Sequence, residues 1–261
     1  MKSEIIGRGR TALIYAWDDG QVLKLYEPGT SKSKVEHEIE LGQRIQARGI
    51  PSPAVEGFIE VDGQPGIIFE RVDGPTMLEY SAAKPWQVFW IARRFAELQA
   101  EMHTSLVPGL PDLNKKIRAR LDAITLLTPE TKAELIALLE SYPASNAVCH
   151  GDFHPGNLIM SPRGPIIIDW LDVARGYPLY DVARTSYLLS KAAMPPGASP
   201  AQRLFIRLFR KLFHWLYLRR YRQIWYFTTQ ELKDWYRLVA AARLSEGIAE
   251  EEAQLLAIVK G

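Results

Sequence analysis

Apolar positions come in short runs over the first 70 residues and recur at helical spacing through most of the rest. Ile5-Ile6 leads into Gly7-Arg8-Gly9-Arg10. Ala12 to Trp17 reads as a strand, Asp18-Asp19-Gly20 as a turn, and Gln21 to Tyr26 as the returning strand, with Lys24 inside it. Ser31 to Arg48 reads as a helix. Val35, Ile39, Gly42 and Ile45 fall on one face, Ser33 and Glu36 have capping-box spacing, and Gly49 and Pro51 stop it. Phe58 to Val61 and Gly66 to Val72, around Asp62-Gly63, read as a second hairpin. Asp73-Gly74-Pro75 then closes a first lobe of residues 1–73.

Residues 74–261 form the second lobe, which reads as mostly helical. Helices are predicted over Trp86 to His103, Leu113 to Leu127, Thr128 to about Tyr142, Tyr180 to Lys191, Pro200 to Trp225 and Glu231 to Val259. The break Met194-Pro195-Pro196-Gly197 reads as a loop. Between the helices lie three short apolar runs: Ala147 to Cys149, Leu158 to Met160 and Pro165 to Ile168. They predict a small buried hairpin around a polar loop. The pattern as a whole is α+β.

Composition narrows the class. With 261 residues and 47% hydrophobic content the chain has enough apolar surface to fold. One Cys excludes an internal disulfide and a Cys-rich zinc site, as in a reducing cytoplasm. No apolar stretch is long enough to span a bilayer, and the N-terminus lacks the apolar run of a signal peptide. The net charge of +2 is too small for whole-molecule attraction to nucleic acid. That +2 hides an uneven distribution. Residues 191–243 hold 11 Lys and Arg against Glu231 and Asp234, about +9, within an otherwise acidic chain.

The segment His150-Gly151-Asp152-Phe153-His154-Pro155-Gly156-Asn157, followed by Ile166-Ile167-Ile168-Asp169-Trp170, carries the candidate chemistry. It offers a loop carboxylate, an amide five residues on, and a carboxylate at the end of an apolar strand. That set suits phosphoryl transfer. Asp152 can orient an acceptor hydroxyl and take its proton. Asn157 and Asp169 supply the oxygen ligands that Mg²⁺ prefers. A metal hydrolase using His150, Asp152 and His154 is the competing chemical reading, but it leaves Lys24, Asn157 and Asp169 without roles.

His-Gly-Asp, Asn at plus five and the later Ile-Asp-Trp resemble the aminoglycoside phosphotransferase and choline kinase family, relatives of the protein kinases. The resemblance runs from about residue 5 to 185. It includes Gly7 and Gly9 as the glycine-rich loop, Lys24 as the phosphate-binding lysine, Glu38 as its helix partner, Ile67 to Val72 as the hinge, and Gly176 to Asp181 as the Gly-x-Pro-x-x-Asp turn. It implies a protein-kinase-like two-lobe fold: a small antiparallel β N-lobe with one helix and a larger, mostly helical C-lobe.

The same resemblance implies ATP or GTP as donor and Mg²⁺ on Asn157 and Asp169. The backbone of Glu70 and Val72 would meet the adenine edge, and Val22, Ile159 and Ile168 would line the base pocket. Asp181 would fix the catalytic loop, with His150 in a structural role. Only 11 residues separate Asp169 from Asp181, too few for a long activation segment, so a small hydroxyl-bearing substrate is expected. The implied protein is a cytoplasmic monomer or homodimer with no nucleic-acid or membrane partner.

Polycationic acceptors need acidic pockets, and the C-terminal helices are basic. A neutral or anionic hydroxyl compound is therefore as open an acceptor as an aminoglycoside, and a sugar, an amino alcohol and a nucleoside stay open as well. A nucleotide-binding pseudokinase is the alternative function. Asp172 is read either as substrate-facing or as a helix cap, Cys149 as a small buried hydrophobe, and His103 as a packed core residue.

Overall fold

The computed structural model describes residues 4–9, 11–191, 197 and 199–260. Arg10 of the glycine loop, and Met194 to Pro196 of the expected interhelical loop, lie outside the described residues. The chain opens with strands β1 (Ile5–Arg8), β2 (Ala12–Ala16) and β3 (Gln21–Tyr26), helix α1 (Lys32–Gln46), and strands β4 (Val55–Val61) and β5 (Gln64–Glu70). Helices α2 (Met77–Ala83), α3 (Val88–His103), α4 (Leu113–Ala123) and α5 (Pro129–Glu140) follow. Next come strands β6 (Ala147–Cys149), β7 (Leu158–Ser161), β8 (Gly164–Ile167) and β9 (Ala174–Gly176). Helices α6 (Pro178–Lys191), α7 (Pro200–Ile224), α8 (Thr229–Leu244) and α9 (Ala249–Lys260) complete the chain.

The chain divides into two compact units, Met1–Tyr80 with Pro155–Leu171, and Ser81–His154 with Asp172–Gly261. The first holds a five-stranded antiparallel sheet in the order β1-β2-β3-β5-β4 and the separate β7–β8 hairpin. Period-2 alternation along β3 puts Lys24 and Tyr26 on the same face and Leu23 and Leu25 on the other. α1 packs against the sheet through Val35, Glu38, Leu41, Gly42 and Ile45, its buried positions. Ala12, Tyr26, Val35 and Ile67 form the centre of this core, with Ile39, Val55, Phe58 and Phe69 around it. The N-cap of α1 is Ser31, whose side chain accepts the Lys34 N–H; Ser33, expected to cap, lies inside the helix.

The second unit is a helical assembly in which α3 packs on α7, α6 on α8, and α8 on α9. Its core is aromatic. The Phe95 ring lies 4.7 Å from Phe153 and 5.3 Å from Tyr217, and Tyr177 stacks on Trp235 at 5.4 Å. A two-stranded antiparallel pair, β6 with β9, brings Cys149 opposite Ala174. Cys149 is fully buried. The single helix expected over Glu231 to Val259 is two helices. α8 stops at Leu244 because Gly247 takes φ +67°, the left-handed conformation that ends helices, and α9 starts two residues later. Capping boxes at Ser199/Gln202 and Thr228/Glu231 open α7 and α8. Among the described residues no helix is long and apolar enough to cross a membrane.

Candidate active site

In the first unit, Lys24 holds two carboxylates at once. Its Nζ lies 2.7 Å from Glu38 Oε1 and 3.0 Å from Asp169 Oδ1. Burial pulls the ammonium pKa down, but the charges of Asp169 and Glu38 outweigh it and hold it above the ordinary lysine value. Glu38 is nearly buried, and its other oxygen accepts from Tyr26 Oη at 2.5 Å. Burial and the Glu38 charge push that phenol upward. The neighbouring acids of α1 face outward, Glu36 toward Lys32 and Glu40 toward Arg44.

Asn157 and Asp169 sit at the open end of the β7–β8 hairpin. Leu158 pairs with Ile167, and the Ile168 N–H donates to Asn157 O at 2.9 Å. Asn157 is buried, whereas Asp169 is half-exposed and adopts φ 65°. An amide oxygen and a carboxylate at adjoining backbone positions form a hard-oxygen donor set that suits Mg²⁺. Among the described residues no three His, Cys, Asp or Glu side chains group as a metal cluster.

Gly7 and Gly9 lie at the β1–β2 connection, where Gly9 N–H donates to Ala12 O at 2.9 Å. Neither has positive φ, and a Cβ at either would meet its nearest neighbour at 3.4 Å, an ordinary contact. The hairpin itself therefore does not require glycine at these positions. Gly74 differs. A Cβ there would lie 2.3 Å from Met160 O, and the adjacent Pro75 O accepts the Met160 N–H at 2.8 Å. In the hinge, Glu70 N–H is committed to Ala54 O, so its carbonyl is the group left to offer. Val22, Ile159 and Ile168 are half-buried.

In the second unit, α6 clamps the loop that carries Asp152. Asp181, Arg184 and Thr185 stand at i, i+3 and i+4 and so share a face. Asp181 Oδ2 accepts the His150 N–H at 3.0 Å and its Oδ1 the Gly151 N–H at 2.8 Å. Arg184 Nε donates to Gly151 O at 2.5 Å, and Thr185 Oγ1 donates to Phe153 O at 2.8 Å. Asp181 is also bonded by Gln99 Nε2 and lies 3.2 Å from His103 Nε2, while His103 Nδ1 is 2.6 Å from Tyr221 Oη. Core packing thus gives His103 a polar task as well. Burial favours the neutral acid at Asp181, but the His103 hydrogen bond and the nearby imidazoles hold its pKa below the usual carboxylate value.

Asp152 lies 3.6 Å from His154 Nε2 and 4.0 Å from Arg184 Nη2, and its N–H donates to His150 Nδ1 at 3.2 Å. Burial raises its pKa, but His154, Arg184 and His150 more than reverse this, to about 2. Gly151 has φ +81°, and a Cβ there would meet Asp172 O at 2.8 Å, so glycine is required beside the aspartate. Asp172 caps no helix. Its Oδ1 pairs with Arg120 at 3.1 Å, and its backbone oxygen accepts from Lys116 at 2.8 Å, both from α4.

Arg184, Thr185 and Gln99 were not among the expected site residues. The register of α6 from Asp181 was the available signal for the first two. Arg184 also reaches Glu246 at 2.8 Å, in the turn between α8 and α9. Glu246 in turn meets Arg243, and Arg243 meets Glu251.

The chain is similar in structure to an aminoglycoside-3'-phosphotransferase of type VIII, at 22% identity and TM-score 0.61, over 92% of this chain and 91% of that one. An amicoumacin kinase in complex with AMP-PNP, Ca²⁺ and Ami gives 15% identity and TM-score 0.63 over 99% and 87%. A choline/ethanolamine kinase family protein from Mesorhizobium loti gives 17% identity and TM-score 0.51 over 99% and 92%. These likenesses show the fold, an antiparallel β lobe with a helical lobe of the protein-kinase type. Comparison with curated proteins by sequence gives no match. Residues 4–221 match the family model described as "Phosphotransferase enzyme family", well past the span of the motifs, and the chain belongs to that family, the aminoglycoside phosphotransferases and their choline kinase relatives.

Proposed function

We propose that the protein transfers the γ-phosphoryl group of ATP or GTP to a hydroxyl of a small molecule, with Mg²⁺ as the metal. The observation that carries this reading is the Lys24 ammonium, joined to Glu38 at 2.7 Å and to Asp169 at 3.0 Å in one unit with the glycine hairpin. A buried cation fixed by an acid of α1, with a second carboxylate at the end of β8, suits a polyphosphate and its counter-ion. The two glycines fit a backbone that approaches phosphate oxygens closely, since neither local packing nor φ explains them.

In this reading Lys24 neutralises donor phosphates, and Glu38 keeps the ammonium in place. The Glu70 carbonyl and the Val72 N–H take the adenine edge, with Val22, Ile159 and Ile168 against the base. Asn157 and Asp169 would hold Mg²⁺, which when bound offsets charge on the phosphate oxygens. Asp152, anionic at neutral pH, accepts the hydrogen bond of the acceptor hydroxyl and so aims its oxygen at phosphorus. As the new P–O bond forms and the bond to the bridging oxygen breaks, the hydroxyl proton passes to the Asp152 carboxylate and the nucleoside diphosphate leaves. A carboxyl with pKa about 2 is a weak base, so orientation is its larger contribution.

The test is metal-dependent nucleotide turnover over a panel of hydroxyl compounds. Asp152→Asn should lower kcat by roughly 10²- to 10⁴-fold with the nucleotide KM little changed. Turnover that survives in this variant removes Asp152 from the role.

A further inference from the structure

The long helix α7 is amphipathic toward both sides. Phe213, Tyr217 and Tyr221 are buried on its inner face. On the opposite face Leu204, Leu208, Leu212 and Trp215 recur at i, i+4, i+8 and i+11, and all are exposed, Leu208 at 58% and Trp215 at 53%. An inner stripe explains a packed helix; the outer stripe has no partner within the described residues. The helix also carries seven Lys and Arg and no Asp or Glu.

A second group of exposed aromatics lies on α3, which packs against the inner face of α7. The contacts Phe95 with Phe213, Gln99 with Tyr217 and His103 with Tyr221 advance in the same direction along α3 and α7. The two helices therefore run parallel, with their N-terminal ends at one end of the unit. Trp86, Phe89 and Trp90 sit at that end of α3, exposed at 71%, 63% and 50%. The exposed stripe of α7 is by itself an apolar patch of the kind that marks an interaction surface.

Further along α7 the stripe meets an open depression of about 420 Å³, lined by Trp215, Leu218, Arg219, Arg222 and Gln223. The Arg219 guanidinium lies 5.2 Å from the Trp215 ring centroid. The Arg222 Nε is buried and has no hydrogen-bond partner within the described residues. Apolar surface and donors for an anion thus lie side by side.

We propose that this face of α7 docks the protein on an anionic lipid surface. The leucines and Trp215 enter the headgroup boundary, flanking cations meet lipid phosphates and carboxylates, and Arg219 and Arg222 seat one headgroup in the depression. Charge decides among the occupants. A second copy laid face to face would bring the cations beside each stripe, Arg207, Lys211, Arg219 and Arg222, against one another with no acid on either helix. A nucleic acid would use the cations and leave the leucine stripe in water. The proposal replaces the expectation of no membrane partner, and it is independent of the phosphotransferase reading.

The experiment is sedimentation of the full chain with phosphatidylcholine vesicles, with and without phosphatidylserine, at low and high salt. Binding should require phosphatidylserine and weaken with salt. Each of Arg207→Ala and Lys211→Ala should lose about fivefold in apparent affinity, and Leu208→Glu about tenfold. All three side chains are exposed, so unchanged thermal midpoints are expected. Absence of binding, or equal binding to both vesicle types, overturns the proposal. So does indifference to Leu208→Glu, or tighter salt-dependent binding to a short RNA or DNA than to vesicles. A concentration-dependent dimer that Leu208→Glu dissolves would assign the face to a second copy instead.

Discussion

Arg184 and Glu246 form an ion pair of 2.8 Å that spans the edge of the family match. Arg184 lies within residues 4–221 and Glu246 beyond them. The guanidinium is nearly buried, and its Nε holds the Gly151 carbonyl next to Asp152. The turn after α8 thus contributes to the backbone that carries the candidate catalytic carboxylate. Removing one partner of such a pair leaves a buried charge unmatched. Glu246→Ala should therefore cost about 3 kcal/mol of stability, read by urea unfolding. Replacing both members with apolar residues, Arg184→Met with Glu246→Leu, should cost less than the single change.

Lys24→Met should leave Glu38, among the described residues, with Tyr26 as its one side-chain partner and leave Asp169 without its ammonium. Turnover should fall by about 10²- to 10³-fold, the cost of losing one preorganised charge donor. The same variant should lose about 2 kcal/mol of stability through the buried acid. A loss confined to stability, with normal turnover per folded molecule, would show the lysine to be purely structural.

Gly9→Ala separates the glycine loop's two uses. The φ and the 3.4 Å clearance accept a methyl, so the thermal midpoint should hold or rise, by the equivalent of about 0.5 kcal/mol. The nucleotide KM should rise several-fold if the backbone approaches phosphate. Unchanged nucleotide affinity would leave Gly9 without a ligand role.

The pH dependence of folding should carry the mark of Asp181. Burial works to raise its pKa, but the His103 hydrogen bond, the imidazole charges and the Gly151 N–H keep it depressed. A depressed carboxylate binds its proton more readily in the unfolded chain, whose pKa is about 3.9. Its contribution is therefore fully present above about pH 5 and is lost as pH falls through 4 and below. Asp181→Asn should cost most at neutral pH, and the gap to the parent should narrow toward pH 3. Urea unfolding at several pH values checks it, and a gap that widens on acidification contradicts the assignment.

Local signals in the sequence were good guides to the first unit. β3 matches its predicted span from Gln21 to Tyr26, because a Gly-containing turn and Pro28-Gly29 bracket it. Helical spacing favoured Glu38 while leaving Glu36 and Glu40 open as partners of Lys24; Leu41, Gly42 and Ile45 lie on the Glu38 side and are buried positions of α1. The loop from His150 to Asn157 was legible from residue types and spacing alone. What was not legible depends on partners distant in the chain. β9 is three residues long and exists by pairing with β6. Asp172 is read from the sequence as substrate-facing or as a cap, and its pairing with Arg120 and Lys116 of α4 was not legible there. The Arg184–Glu246 pair depends on where α8 ends, and the apolar spacing hid that end by running on across Gly247.

The Lys24–Asp169 contact has a consequence for the order in which ligands load. One carboxylate faces two suitors, the ammonium at 3.0 Å and the divalent ion that Asp169 would bind. Before nucleotide arrives the two compete, so the metal should bind poorly to the protein alone. In the proposed reaction, phosphate oxygens would offer both cations further ligands and turn that rivalry into mutual support. Metal and nucleotide should then each tighten the other's binding by the same factor.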